Sequence, residues 1–288
     1  MLRLDEFESF FRAARKEPFT LRMPSLERVL LVTDLDEPSA ERLEEALRQW
    51  FGPLDLDLRW TRWQAEDLQG VERLLARVRD LEDAGGVDLV VTYRNLESDA
   101  WCWNYSLGAY LGALLRASRL PVLIVPHPRR FPALPWRDAG LDDVTVLADS
   151  LTGRHELIGW GVRMSAPGAR LHLAHVEDDA VFARYMDAIG RIPAIDTDEA
   201  RATLSERLLE DAREYIASCA HVLSEARADL RIRPQVRWGH RVADFRALVE
   251  ETAADLLVLP TLEADHMALH GAAYTLAVEL VDTMLLMV

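Results

Sequence analysis

Apolar residues fall along this chain in three patterns, and each predicts a different element. Continuous short runs, Arg28-Val-Leu-Leu-Val-Thr33, Asp88-Leu-Val-Val-Thr92, Pro121-Val-Leu-Ile-Val125, Val144-Thr-Val-Leu-Ala148, Ala169–Val176, Asp255–Leu259 and Met284–Val288, read as strands buried on both faces. Strict alternation, at Leu54, Leu56, Leu58 and Trp60 and again over Leu230–Trp238, predicts strands with one drier face. Between them, three-and-four spacing predicts amphipathic helices. The stripes are Val71, Leu74, Leu75, Val78 and Leu81, closed by Gly85-Gly86; Leu208, Ala212, Ile216, Cys219 and Leu223; and Val242, Phe245, Leu248 and Val249. Leu4, Phe7, Phe10, Phe11 and Ala14 have the same spacing and predict an appended N-terminal helix ending near Pro18.

The order repeats. Each half opens on a buried strand that ends at an aspartate, Asp34 or Asp149. Each closes with an Asp-led strand (from Asp88 or Asp255), a loop, a Gly-Ala helix start (Gly108-Ala109 or Gly271-Ala272) and a final apolar strand. Both Gly-to-Val segments, 108–125 and 271–288, are 18 residues long. In the first half Pro38 and Ser39 are placed to open a helix over 40–50. In the second, a helix is predicted over 153–165, an acidic excursion with a short helix over 177–200, and Gly239-His240 ahead of the last long helix. Residues 126–142 hold four prolines, which disfavour helix and central strand and suggest a linker. The divisions that follow are an N-terminal helical extension over 1–27, a first unit over 28–125, the linker over 126–142, and a second unit over 143–288. Strands alternating with helices imply parallel sheet covered on both faces, with ligands expected beyond the carboxyl ends of the strands.

Composition narrows the function classes. A formal net charge of −15 argues against a nucleic-acid or anionic-membrane surface, and Arg129-Arg130 is too short to reverse that. Two cysteines, Cys102 and Cys219, form no disulfide framework and no metal spacing. The acidic N-terminus does not read as a secretory signal, and no apolar run is long enough to span a bilayer, so a cytoplasmic protein is expected.

Leu230–Leu259, LRIRPQVRWGHRVADFRALVEETAADLLVL, resembles the strand–Gly–helix–Ala-Asp–strand segment of universal stress proteins (UspA-like domains). The Asp-terminated opening strands, the Leu-His-Leu-Ala-His-Val strand and the closing Gly-helix-strand are similar to the same family. The resemblance spans the second half throughout. It covers the first at its start and at 88–125, with too few residues between for a long helix and third strand. It implies two tandem flavodoxin-like, or adenine nucleotide alpha hydrolase-like, α/β domains related by a pseudo-twofold axis, with the first abridged. It further implies that Pro121–Val125 and Met284–Val288 pair across that axis.

Many members of that family hold ATP through G-x2-G-x9-G-S/T after the fourth strand, where glycines let backbone N–H groups approach phosphate. Here the leading glycine positions fall on Pro260 and Glu263, and in the first half on Tyr93 and Leu96. Gly271 and Gly108 are each followed by alanine, and Glu263 and Asp265 add negative charge. Proline lacks an N–H and side chains block close approach, so neither loop suits phosphate. If a nucleotide binds, the resemblance places it at Asp34, Asp149, Val176 and Gly271. Otherwise the two aspartates are expected to cap the turn or helix that follows them.

His266 and His270, four apart beside Glu263 and Asp265, lack a third ligand at motif spacing and read as a solvated loop rather than a metal pair. His172 and His175 are three apart on one strand, which predicts one core and one surface histidine. Trp101, Trp103 and Tyr105 are expected to fill an interface between the units; a ligand-stacking role is the alternative. No catalytic motif is present, so no enzymatic activity is expected. The reading is a tandem universal stress protein without ATP or other cofactor, acting through an unidentified protein partner, with a homodimer allowed. The alternatives are an ATP- or AMP-binding switch or weak ATPase in the cleft near Asp149 and Gly271, and a small-molecule sensor with loop 93–105 over its pocket.

Overall fold

The protein is represented by a computed structural model that describes residues 18–103, 106–134, 136, 140–148, 150–192, 196–239, 242–261 and 271–288. Nine strands form one sheet: β1 (Arg28–Val32), β2 (Arg59–Trp63), β3 (Leu89–Tyr93), β4 (Val122–Val125), β5 (Asp143–Ala148), β6 (Arg170–Glu177), β7 (Arg231–Trp238), β8 (Leu256–Leu259) and β9 (Met284–Met287). The helices are α1 (Glu37–Phe51), α2 (Ala65–Leu68), α3 (Val71–Asp83), α4 (Ala109–Ala117), α5 (His155–Arg163), α6 (Asp179–Ile189), α7 (Thr197–Ala226), α8 (Val242–Thr252) and α9 (Gly271–Glu279). The strand order is β2-β1-β3-β4-β9-β8-β5-β6-β7. Every neighbouring pair is parallel except β4 and β9, which run antiparallel with Leu123 opposite Leu286.

Outward from that antiparallel junction the connectivity is the same on both sides, β4-β3-β1-β2 and β9-β8-β5-β6-β7, with β7 unmatched in the first half. The fold is a flavodoxin-like α/β architecture with pseudo-twofold symmetry. Its central strands β3, β4, β5, β8 and β9 are buried at every position, as layers on both faces require, while the edge strands β2 and β7 are largely exposed or half-buried. Pairing β9 with β4 gives the apolar last strand a partner on each side.

Matching aspartates brace both halves. Asp88 Oδ2 accepts the N–H groups of Glu27 (3.0 Å) and Arg28 (2.9 Å) at the start of β1. Asp255 Oδ2 accepts those of Asp142 (3.1 Å) and Asp143 (3.0 Å) at the start of β5. This is why an aspartate precedes each of β3 and β8.

Several elements differ from their sequence expectation. The alternating leucines at 54, 56 and 58 precede the second strand, since β1 pairs with residues 59–63; the leucines pack on the core from a 3-10 turn and the irregular chain after it. Helix α1 starts at Glu37, with Asp36 Oδ1 accepting the Ser39 N–H as N-cap. His172 and His175 are both buried, because β6 lies inside the sheet and both of its faces are covered. His172 Nε2 lies 3.2 Å from Asp143 Oδ1, and His175 Nε2 lies 2.9 Å from Glu177 Oε2.

Residues 18–27 have no regular secondary structure and pack against the second half. Phe19 stacks on His155 of α5 (5.6 Å, 27°), Thr20 N–H donates to His155 Nδ1, and Arg163 Nε donates to the Pro24 carbonyl. A β-carbon on Gly159 would lie 2.1 Å from the Arg22 carbonyl oxygen, so this helix face must be bare for the chain to pass. Within 126–142, Pro126, His127, Pro128, Leu134, Trp136 and Leu141 are buried, so the proline-rich connection is packed into the core. The predicted helix over 4–14 lies outside the described residues. Among the described residues, no helix is long and apolar enough to cross a membrane.

Candidate functional site at the strand ends

The carboxyl ends of β1, β3 and β4 converge in the first half, where a doubly wound sheet would open its ligand cleft. Here that space is filled. Tyr93, the last residue of β3, is fully buried and directs its hydroxyl at the end of β1. It donates to Asp34 Oδ1 at 2.6 Å and accepts the Asp34 N–H at 2.9 Å. Because its proton goes to the carboxylate, Thr33 Oγ1 at 2.7 Å is the donor of the third bond, leaving Thr33 Oγ1 to accept from the Leu35 N–H. Burial, then the Asp34 charge and hydrogen bond, push the phenol above its ordinary range, so it stays neutral.

The other carboxylate oxygen of Asp34 accepts the Glu97 N–H at 2.9 Å and faces Arg129 Nη1 at 3.7 Å; Arg129 Nη2 also donates to the Asp34 carbonyl. The carboxylate is only 4% exposed. Asp34 thus ties the ends of β1, β3 and β4 together instead of capping its own turn, a role that falls to Asp36.

His127, in the segment after β4, forms the lid of this plug. Its ring meets Tyr93 edge-on at 4.6 Å and stacks on Trp101 at 5.4 Å. Nδ1 accepts the Arg129 N–H, which puts the proton of a neutral ring on Nε2, buried with no hydrogen-bond partner among the described residues. Burial depresses its pKa to about 4; Asp34 works against that shift, while Arg129 and Arg94 add to it. Trp101 therefore packs on the connection that follows β4, and Trp103 is 62% exposed where burial between the halves was expected. Tyr105 lies outside the described residues.

The loop between β3 and α4 is shaped by its backbone. Asn95 and Glu97 adopt positive φ, and Asn95 N–H donates to the Leu107 carbonyl. Gly108 (φ +82°, ψ 165°) lies so close that an added β-carbon would sit 2.7 Å from the Asn95 Cα. Arg94 crosses to the second half. It is 4% exposed, and its Nε and Nη2 donate to the carbonyls of Ala277 (2.6 Å) and Leu280 (2.7 Å) at the end of α9, the helix terminus that favours a cation. Burial lowers its pKa to about 10, against an opposing effect of Asp282, and it remains charged.

In the second half Val176 is buried within β6, opposite Arg237, and Gly271 begins α9 exposed and with open space around it. Asp149, Glu263, Asp265, His266 and His270 lie outside the described residues. Pro260, the counterpart of Tyr93, is buried at the end of β8, and a proline has no N–H to offer a phosphate. The sequence singled out Asp34 but not the groups that occupy it. Tyr93 stood in a glycine position without a stated role, and His127 and Arg129 lay in a segment read as a linker. A visible signal is the polar pair Arg94-Asn95 directly after β3, with His127 two residues after β4.

The doubly wound fold can be compared with solved structures. The chain is similar to a universal stress protein from Archaeoglobus fulgidus DSM 4304, at 13% identity and a TM-score of 0.54, covering 90% of this chain and 97% of that one. A functionally unknown protein from Pseudomonas aeruginosa PAO1 is 13% identical over 92% of each chain, with a TM-score of 0.48. The Archaeoglobus structure carries the comparison, and what it shares with this chain is the fold. No family model matches the sequence. No curated protein is similar to it.

Proposed function

We propose that the chain is a tandem protein of the universal stress type whose first unit holds no nucleotide, and that it acts through contacts with other proteins in a regulatory or stress-response role, without catalysis, in the cytoplasm. The observation that carries this reading is the Tyr93 hydroxyl on Asp34. The aspartate that would serve an adenine has both carboxylate oxygens engaged by the protein itself. Displacing those bonds would leave a buried charge unpaired, a cost of several kcal/mol that a ligand would have to offset. Pro260 and the acidic loop that follows it in sequence support the same conclusion for the second unit.

Isothermal titration of the full chain with ATP, ADP and AMP is expected to show no heat of binding. A dissociation constant tighter than about 100 μM, about −5.5 kcal/mol, overturns the reading. Loss of that binding in Asp149→Ala but not in Asp34→Ala would then locate a nucleotide switch in the second unit, near Gly271. ADP release above the buffer rate would overturn the non-catalytic part separately.

A further inference from the structure

The two edges of the sheet are not alike. At β7, Arg231 N–H donates inward to the Ala169 carbonyl and Gly239 N–H to the Glu177 carbonyl, so odd-numbered residues bond to β6 and even-numbered ones face outward. Pro234 is even-numbered. Its missing N–H lies on the outer edge, a placement that obstructs pairing with another strand.

At β2 the same accounting gives the opposite result. Arg59 N–H donates to the Glu27 carbonyl, and the Trp63 carbonyl accepts the Thr33 N–H, so Arg59, Thr61 and Trp63 bond inward. Trp60 and Arg62 turn their N–H and C=O groups away from β1, and no strand pairs there among the described residues. Among the described residues the first half has no counterpart of β7, the strand that covers the corresponding edge in the second.

The geometry points to β2 pairing antiparallel with β2 of a second copy of this chain, about a twofold axis at Thr61. The segment Arg59-Trp-Thr-Arg-Trp63 is self-complementary in that register. Arg59 stands opposite Trp63, and Trp60 opposite Arg62, and the reverse on the other side of the axis. Trp60 and Arg62, the two residues with free outward groups, face each other and exchange both hydrogen bonds, four across the axis. Arg62, ion-paired to Glu37 and Glu44 of its own chain, then stands beside the half-buried Trp60 of the other copy instead of beside another cation. A twofold axis at Arg62 would instead set two arginines against each other. The indoles already attract guanidinium groups: Arg48 lies 5.2 Å from the Trp60 ring centroid and Arg77 4.0 Å from that of Trp63. The pairing joins two nine-stranded sheets edge to edge and is independent of nucleotide binding.

Two variants test this in the full-length protein. Arg62→Pro removes an outward N–H, as Pro234 does on the other edge, together with the ion pairs of Arg62 to Glu37 and Glu44, which the control Arg62→Ala removes by itself; Arg62→Pro is expected to turn a sedimenting dimer into a monomer with an unchanged circular dichroism spectrum, and Arg62→Ala to remain dimeric. Thr61→Cys places two thiols at a non-hydrogen-bonded pair, where Cα atoms lie about 4.5 Å apart, within disulfide reach. In a Cys102→Ser background, since Cys102 is exposed, it is expected to give a covalent dimer under mild oxidation. A folded Arg62→Pro protein that remains dimeric overturns the proposal. So does a Thr61→Cys protein that cross-links no faster than Glu41→Cys on the exposed face of α1. Should Arg62→Pro fail to fold, the cross-linking comparison decides alone.

Discussion

Tyr93 and Asp34 are joined twice: the phenol donates to the carboxylate at 2.6 Å and accepts the backbone N–H of the same residue at 2.9 Å. A side chain at the end of β3 thereby holds the end of β1 and fills the space beyond the strand ends. Tyr93→Phe keeps the ring but removes the bonds of the phenol to Asp34 Oδ1 and the Asp34 N–H, while Oδ2 keeps the Glu97 N–H and Arg129. We expect a loss of roughly 2–3 kcal/mol, the scale of a buried hydrogen bond to a charged group. In a double-mutant cycle with Asp34→Asn by urea denaturation the two changes should couple by at least about 1 kcal/mol. Simple additivity would show that the pair does not hold the strand ends together.

The two glycines that mark the repeat should respond differently to alanine. At Gly108 the backbone is in a region open essentially only to glycine, and a β-carbon would meet the Asn95 backbone. Gly108→Ala should cost roughly 2–3 kcal/mol. Gly271 begins a helix with nothing within 4 Å of the added carbon, and Gly271→Ala should change the melting temperature little or raise it. Equal losses would contradict the model of a backbone constraint confined to the first half.

Asp88 and Asp255 make matching backbone bonds in opposite electrostatic settings. Burial works against ionisation of Asp88, but hydrogen bonds from Arg28 and two backbone N–H groups outweigh it and hold its pKa below the usual range. Asp255 is pushed up by burial and by Asp143 and Asp142, against the same kind of backbone bonds. Asp88 therefore contributes stability above its unfolded pKa that is lost as pH falls through the lower folded value; for Asp255 the charged form is disfavoured, and stability falls as pH rises through its raised pKa. At neutral pH Asp88→Asn should lower the melting temperature. Asp255→Asn, whose amide oxygen can still accept both N–H groups, should leave it unchanged or raise it. The reverse order would refute this account.

His127 should give the protein an acid-sensitive window. Its folded pKa of about 4 lies below the ordinary value of 6.5, so the unfolded chain binds the extra proton between those limits. Stability should be full above about pH 6.5 and fall by up to about 3 kcal/mol as pH drops toward 4, with burial as the main cause, Asp34 opposing it, and Arg129 and Arg94 reinforcing it. His127→Phe keeps an aromatic ring against Trp101 and Tyr93 and should flatten that part of the stability–pH curve. An unchanged slope would place the acid sensitivity elsewhere.

The sequence by itself determined the buried strands, the amphipathic helices and the repeat. Uninterrupted apolar runs such as Leu89–Val91 and Leu256–Leu259 can be satisfied only inside a sheet covered on both faces, whatever else the chain does. It also placed Asp34 just past the end of the first buried strand. It could not place the second strand at 59–63, because that register depends on bonds to Glu27 and Thr33 rather than on the periodicity of residues 54–60. Nor could it show what occupies Asp34. Tyr93, Glu97 and Arg129 lie 59, 63 and 95 residues away along the chain, and such partners leave no periodic trace. Periodicity records how much of a residue is buried. Which groups share a buried charge is decided only when β1, β3 and β4 are laid side by side.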